Sequence, residues 1–524
     1  MNRIEPRRTV SIPILMVGGM MLLGLFFGSW GIQKNLPYFA EADEGIFVGR
    51  AVRMASTGDL NPHWFGNPGS TTFYPQTFLF HIWYAATENG SLFSANPDLQ
   101  MHFNQEMSDY FLLGRMLSVL YGVLSLPLTY LLGKRVFNQR IGLIGAWLLL
   151  ANAVYWYYAQ IVRTDTSALF WSVLSLWLCI IAYERPIWRN FLLAGLIIGF
   201  SIASRYFMVA LIPMFFLLWL ATVRTNRDDQ TRNQFIINGI TGFLAVLVGF
   251  AITTPYFFLD FATALKNLLA EGRSEHLGAD GFTPWGNFWW YLTVAIPRSI
   301  TWWQALLALA GMILAAASRR FTRIILVVYV LIFLIAISLS PLHWMRWVAQ
   351  LMPLFALFTA FALDEVIRYL GQRMEWRARS RHFALALIVG IVSIWPLYQV
   401  VLHNIKQASP STRVLARQWI IENLPEHSKI GQENYTAPLA GTEFDIDFVD
   451  PLSSGGSLTD YAAGGYDYLV ASGGIYERYF AEPERYAEHV SFYESLFSEA
   501  QLLQRIEPST TRAGPAILIF QLPE

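Results

Sequence analysis

The feature that most constrains this chain is a series of apolar runs, each close to the length that crosses a bilayer. A hydrocarbon core of about 30 Å takes roughly 20 helical residues. Runs of that order lie near 10–32, 110–133, 140–159, 165–183, 190–204, 206–222, 235–253, 300–318, 321–340, 346–368 and 382–402. Backbone amides find no water in hydrocarbon, so such runs fold as helices. The expectation is a polytopic α-helical membrane protein with about eleven transmembrane helices. Charged residues make up 14% of the 524, against about 25% in soluble domains. That excludes a disordered chain, a collagen-like repeat and an ordinary soluble enzyme. The first run is too long for a cleavable signal peptide, and no small-residue cleavage site follows Trp30. The single cysteine, Cys179, lies in an apolar run and forms no internal disulfide.

Orientation follows from where Lys and Arg collect, because cytoplasmic connections are enriched in them. The clusters are Arg3, Arg7 and Arg8; Lys134, Arg135 and Arg140; Arg185 and Arg189; Arg224, Arg227 and Arg232; Arg319, Arg320 and Arg323; and Arg368 through Arg381. All fall at alternate connections, which places the N-terminus in the cytoplasm and the C-terminus outside. Residues 1–402 then form the transmembrane domain, with long outer loops at 33–109 and 254–299. Residues 403–524 form an extracytoplasmic α/β domain. In that domain Ser411–Asn423 has helical apolar spacing with Ser411 or Thr412 as N-cap, and Pro425 stops it. Residues 468–471 and 516–520 are β-rich. The glycine pairs 455–456, 464–465 and 473–474 have no phosphate-loop or dinucleotide-binding context, so all three are expected as turns.

The chemistry-bearing residues gather at the outer face. Just beyond the first span stands Glu41-Ala-Asp43-Glu44-Gly45-Ile46-Phe47. A carboxylate there is placed to take a proton from an acceptor hydroxyl; alternatively Asp43 caps, and Glu44 opens, a helix over 44–57. Asp165 lies two residues after Arg163 in a tight connection between spans. An ionisable pair so near hydrocarbon is a functional candidate by default, the alternatives being a local ion pair or a helix cap. Arg205, Arg346 and the neighbouring His343 sit near outer helix ends. There a guanidinium suits a phosphate, which it grips with a bidentate fork, or it snorkels to ordinary lipid headgroups. No HExxH, cysteine cluster, EF-hand loop or GxSxG occurs, and the histidines show no metal-ligand spacing, so no cofactor or metal is expected. Zero net charge gives no reason to expect nucleic acid as a partner.

In order along the chain, Asp43-Glu44, Phe73-Tyr74-Pro75, Arg163-x-Asp165 and His343-x-x-Arg346 followed by Pro353 resemble a known family. It is that of the GT-C fold glycosyltransferases, which use polyprenyl-phosphate sugars. The groups most similar are the protein O-mannosyltransferases and the aminoarabinose transferases. The resemblance covers about residues 10–400, and the tail is similar to the outer domains of prokaryotic members. It implies an inverting transfer of a sugar from a polyprenyl-phosphate donor to a hydroxyl acceptor on the outer face of the cell membrane. Asp43, with Glu44 beside it, takes the place of the general base, and Asp165 that of a second acid. Arg163, Arg205, Arg346 and His343 hold the donor phosphate, and Tyr74 lines the substrate cavity. The spacing from Asp43 to Arg50 is not the aminoarabinose-transferase pattern, and the outer domain is not the sugar-binding repeat module of eukaryotic mannosyltransferases. The competing functions are a transporter or flippase of lipid-linked sugars and a non-catalytic envelope assembly protein. The near absence of mid-membrane charge weighs against transport.

Overall fold

The computed structural model describes residues 11–38, 42–225, 228–272, 276 and 279–523. Glu41 and the basic residues Arg3, Arg7, Arg8 and Arg227 lie outside the described residues. By contact the chain divides into two compact units.

The first unit contains Ile46–Glu275 and Ala279–Val401 together with the first apolar helix. Among the described residues eight helices are long and apolar enough to cross a membrane unaided. They include Ile12–Ser29, Met107–Val136, Thr164–Glu184, Asp229–Thr253 and Phe321–Ser338. Two further helix pairs are apolar enough when each is taken together and are bent at a break, as in a broken span or a re-entrant loop: Gln139–Leu150 with Ala153–Ala159 at 68°, and Pro284–Ile300 with Trp302–Ala317 at 116°. Trp188–Ser204, 17 residues long, completes the set. Each of the eleven expected spans coincides with one of these helices or pairs.

The breaks have local causes. At the first, Asn152 accepts from the Tyr155 amide at 2.8 Å and so starts a new helix at Ala153, with two residues between it and the end of the old one at Leu150. At the second, Thr301 has φ 76°, a left-handed conformation that a β-branched residue rarely adopts and a right-handed helix cannot pass through. Residues 284–299, expected as outer loop, are therefore helical up to that break, with a π turn at Tyr291–Ala295. The first outer loop is also largely helical, with Ala42–Thr57, Ser70–Glu88 and Leu99–Gln105. The short Trp188–Ser204 helix is held by glycine contacts. A Cβ on Gly195 would overlap the Gly242 carbonyl, and one on Gly199 the Val246 carbonyl. Close backbone approach of this kind is how apolar helices gain packing energy in lipid.

The second unit contains Leu402–Glu524 and also Trp30–Gly45, a stretch assigned above to the end of the first span and the start of the first outer loop. Asn35 ties the two stretches, donating to the Ser409 carbonyl at 3.1 Å and accepting from the Ser411 amide at 2.8 Å. Its sheet runs in the order β2-β1-β3-β5-β4. The strands are β1 (Lys429–Gln432), β2 (Asp445–Phe448), β3 (Tyr468–Ser472), β4 (Gln501–Ile506) and β5 (Ile517–Gln521). β1 pairs in parallel with β2 and β3, whereas β5 pairs antiparallel with β3 and β4. Strand side chains alternate between faces. Tyr468, Val470, Ile517 and Ile519 accordingly pack on the Thr412–Asn423 helix, which Ser411 caps. Leu469, Ala471, Leu518 and Phe520 pack with Tyr476, Tyr493 and Leu496 of the other helices. One expectation fails: Gly473-Gly474 is no turn but opens the Gly473–Phe480 helix, capped by Ser472, whose hydroxyl accepts from the Gly474 amide.

Candidate active site

The connection at residues 160–163 ends in Arg163, whose extended backbone (φ −148°, ψ 168°) leads directly into the Thr164–Glu184 helix. Asp165 falls in the first turn of that helix, where the dipole favours a negative charge. Its side chain is completely buried. Arg163 Nε lies 3.3 Å from Asp165 Oδ2, and Arg205 Nη2 lies 3.1 Å from Oδ1. These are charge contacts rather than well-directed hydrogen bonds. Arg205 stands where the Trp188–Ser204 helix gives way to a 3-10 turn, in extended conformation. Its Nε donates to Thr164 Oγ1 at 2.9 Å, and its guanidinium lies over the Phe207 ring at 5.3 Å. Burying charges is costly unless each finds an opposite partner, and the cluster meets that condition with residues 40 positions apart.

Hydroxyls fasten a third helix to the cluster. Thr71 Oγ1 is 2.7 Å from Ser204 Oγ, Thr72 Oγ1 is 3.1 Å from Ser167 Oγ, and the Tyr121 phenol donates to the Thr71 carbonyl at 2.8 Å. The head of the Ser70–Glu88 helix thus meets the head of Thr164–Glu184 and the tail of Trp188–Ser204. None of these hydroxyl residues stands out in the sequence. The only available signal is Ser and Thr gathered at one end of apolar spans. Gln76 and Gln350 are likewise fully buried, and neither amide has a hydrogen-bond partner among the described residues.

The other sequence candidates are placed as follows. Asp43 and Glu44 occupy the first turn of Ala42–Thr57, with Glu44 buried and Asp43 half-buried. The Tyr74 phenol donates to the Leu60 carbonyl at 3.3 Å, within the first loop rather than into the arginine cluster. Arg346 lies over Trp344 at 4.1 Å, in the Met345–Leu351 turn that packs on the Thr164–Glu184 helix. The His343 ring is clamped between Phe282 at 5.4 Å and Trp290 at 4.0 Å. The structure therefore brings Arg163, Asp165 and Arg205 into contact, while His343 serves an aromatic cluster. In the second unit Glu426, His427 and Glu443, all exposed, bring ligand atoms within 4.8 Å of one another. The fold alone creates this grouping, since Glu443 stands far from the other two in sequence.

A family profile described as dolichyl-phosphate-mannose-protein mannosyltransferase matches residues 108–256, which include Arg163, Asp165 and Arg205. No curated protein matches the chain. Among solved structures, ArnT from Cupriavidus metallidurans in the apo state is similar at 12% identity and a TM-score of 0.56, over 97% of each chain. The same protein bound to undecaprenyl phosphate gives a TM-score of 0.55 at 12% identity, again over 97% of each chain. The archaeal oligosaccharyltransferase AglB from Archaeoglobus fulgidus, in complex with an inhibitory peptide and a dolichol-phosphate, is similar at 14% identity and a TM-score of 0.52. That match covers 96% of this chain and 74% of the other.

Proposed function

We propose that this chain, which has the GT-C fold, is an integral-membrane inverting glycosyltransferase. It moves a sugar, a hexose or pentose, from a polyprenyl-phosphate donor to a hydroxyl acceptor on the outer face of the cell membrane. The observation that carries this reading is the pair of guanidiniums seated on buried Asp165, within the segment that matches the mannosyltransferase profile. Two arginines held at a helix head on the membrane-facing unit are what a lipid-linked phosphate needs.

In the reaction, Asp43 takes the proton of the acceptor hydroxyl as its oxygen attacks the anomeric carbon from the face opposite the phosphate. A new C–O bond forms at inverted configuration. The bond to the phosphate oxygen breaks, and its electron pair leaves on polyprenyl phosphate. A phosphate monoester is a good leaving group, so the developing charge needs cations rather than a general acid. Arg163, Arg205 and Arg346 supply them. Asp165 acts as a positioning residue: both of its oxygens are engaged by arginines, so it holds the cations in place. Glu44, buried beside Asp43, supports the base. This economy contrasts with a glycosidase, which needs two carboxyl groups because its leaving group is an alkoxide.

The test is Asp43→Asn in the purified full-length protein, with labelled polyprenyl-phospho-sugar as donor and release of polyprenyl phosphate as readout. Transfer is expected to fall by about 10²–10⁴-fold, with donor binding retained. Near-normal turnover would remove Asp43 from the role. No release of polyprenyl phosphate by the native protein, with any hydroxyl acceptor, would favour transport or assembly instead.

A further inference from the structure

The break at Thr301 does more than bend a helix. It opens a cavity of about 290 Å³ in the first unit, between the broken pair, the start of Ala153–Ala159 and the Ala378–Ala408 helix around Pro396. Irregular backbone at membrane depth is tolerated only where protein buries it or where it lines a cavity. Here it lines one.

The lining is cationic and rich in donors. Arg298 reaches it, is exposed, and has no hydrogen-bond or ion-pair partner among the described residues. Ser299 and Gln304 also line it, although they are only 4% and 5% exposed. The hydroxyls of Ser299 and Thr301 and the amide nitrogen of Gln304 find no hydrogen-bond partner among the described residues. Buried polar atoms without partners are uncommon in folded proteins and need an explanation. No carboxylate lines the cavity. Residues carrying one guanidinium, two hydroxyls and an amide N–H line a site without acids, a set that suits an anion, and a tetrahedral oxyanion can accept from all of them.

The rim identifies the source of that anion. Trp302, Trp303 and Trp395 are 57%, 42% and 48% exposed, on helices that read as spans. Exposed tryptophans on spanning helices mark the headgroup level of a bilayer. We infer that this pocket is a second phosphate site, separate from the Arg163–Arg205 cluster, and that it takes the headgroup phosphate of an anionic membrane lipid. Arg298 and the three unpartnered donors all lie outside the segment matched by the mannosyltransferase profile. The site therefore does not rest on the transfer chemistry. It differs from ordinary snorkelling, in which an arginine meets bulk headgroups with no built cavity behind it.

The test is lipid-dependent thermal stabilisation of the purified full-length protein in detergent. The probes are phosphatidylglycerol, phosphatidylcholine and inorganic phosphate, each titrated separately. Phosphatidylglycerol is expected to raise the melting temperature saturably, and Arg298→Gln to weaken its apparent affinity about tenfold. Arg298→Lys, which keeps the charge and loses the fork, should fall between. Gln304→Leu should weaken the affinity by a few-fold and provides a second variant if the first lowers the lipid-free melting temperature. An unchanged phosphatidylglycerol titration in Arg298→Gln and Gln304→Leu would overturn the site. Full stabilisation by phosphatidylcholine or by inorganic phosphate alone would overturn the anionic-lipid assignment.

Discussion

Both carboxylate oxygens of Asp165 face a guanidinium in a fully buried setting, so a neutral side chain in its place would lose two ion pairs at once. Removing the charge is correspondingly expensive. Breaking a buried pair from one side costs about 3–5 kcal/mol, because the partner is left charged and unsolvated. Asp165→Asn is therefore expected to lower the melting temperature and weaken donor binding together. Asp43→Asn should affect turnover alone. A melting curve and a donor titration of each variant separate the proposed anchor from the proposed base. Another buried carboxylate, Glu433 in the Leu402–Glu524 unit, is harder to ionise than an exposed acid. It accepts from the Ser472 amide at 2.8 Å, the Leu452 amide at 3.0 Å and the Tyr493 phenol, yet burial outweighs these bonds and pushes it up to about 7. A carboxyl group raised on folding binds more protons folded than unfolded. Its penalty is absent below the ordinary value of 4.5, grows as pH rises through the window to about 7, and is constant above it. The size is at most about 3 kcal/mol. Hydrogen-exchange protection of β1 and β3, corrected for intrinsic rates, should fall from pH 5 to pH 7.5, and Glu433→Gln should flatten that slope. A slope unchanged by the substitution would assign it to other groups.

At the scale of elements, the glycine seam between Trp188–Ser204 and Asp229–Thr253 explains how a 17-residue helix keeps its place. Gly195→Ala forces the two backbones apart, at a cost of about 1–3 kcal/mol for an overpacked contact. Gly18→Ala is the control, since nothing lies within 4 Å of a Cβ there. A lower melting temperature is expected only in the former, and equal curves would show that the seam carries no strain. The seam also shows what could be read in advance. Spans are legible because the bilayer imposes a length and a composition on each helix. How two spans meet depends on which small residues face each other, and apolar runs alone do not encode that. The break at Thr301 was hidden for another reason: Pro297, Arg298 and Ser299 read as the end of a loop, and nothing local shows that residues 284–300 are helical before it. In the second unit β3 and β5 are apolar enough to be read, whereas β2 (DIDF) is a short exposed edge and β4 (QLLQRI) is half polar. The candidate site divides in the same way. Arg163 and Asp165 are neighbours in sequence and visibly misplaced in an apolar context. Their contact with Arg205, and the hydroxyls of Thr71 and Ser204, exist only once three helices converge.

For the whole molecule, the predicted orientation would resolve the zero net charge into a cancellation across the membrane. With the N-terminus cytoplasmic, the inner segments carry 19 basic and 7 acidic residues and the outer ones 18 basic and 30 acidic. The asymmetry resides in Lys and Arg near span ends, which is where the positive-inside rule applies. Neighbouring basic clusters are tied to acids by ion pairs, such as Arg135 Nη2 to Glu184 at 2.7 Å and Arg140 Nη1 to Asp364 at 3.5 Å. The chain's one cysteine makes this orientation directly measurable. Cys179 is buried within the Thr164–Glu184 helix, so an impermeant maleimide finds no background thiol. Thr510→Cys, exposed in the outer domain, is expected to label in right-side-out membrane vesicles. Ser380→Cys, exposed between Arg379 and Arg381, should label only after permeabilisation. The reverse pattern would turn the molecule over and with it the proposed reaction. Asp43 follows the first span and Asp165 the third, so an odd number of crossings separates each from the N-terminus. On the predicted eleven-span topology both carboxylates share the face that Thr510→Cys reports, and the proposed reaction requires the donor phosphate to be presented there.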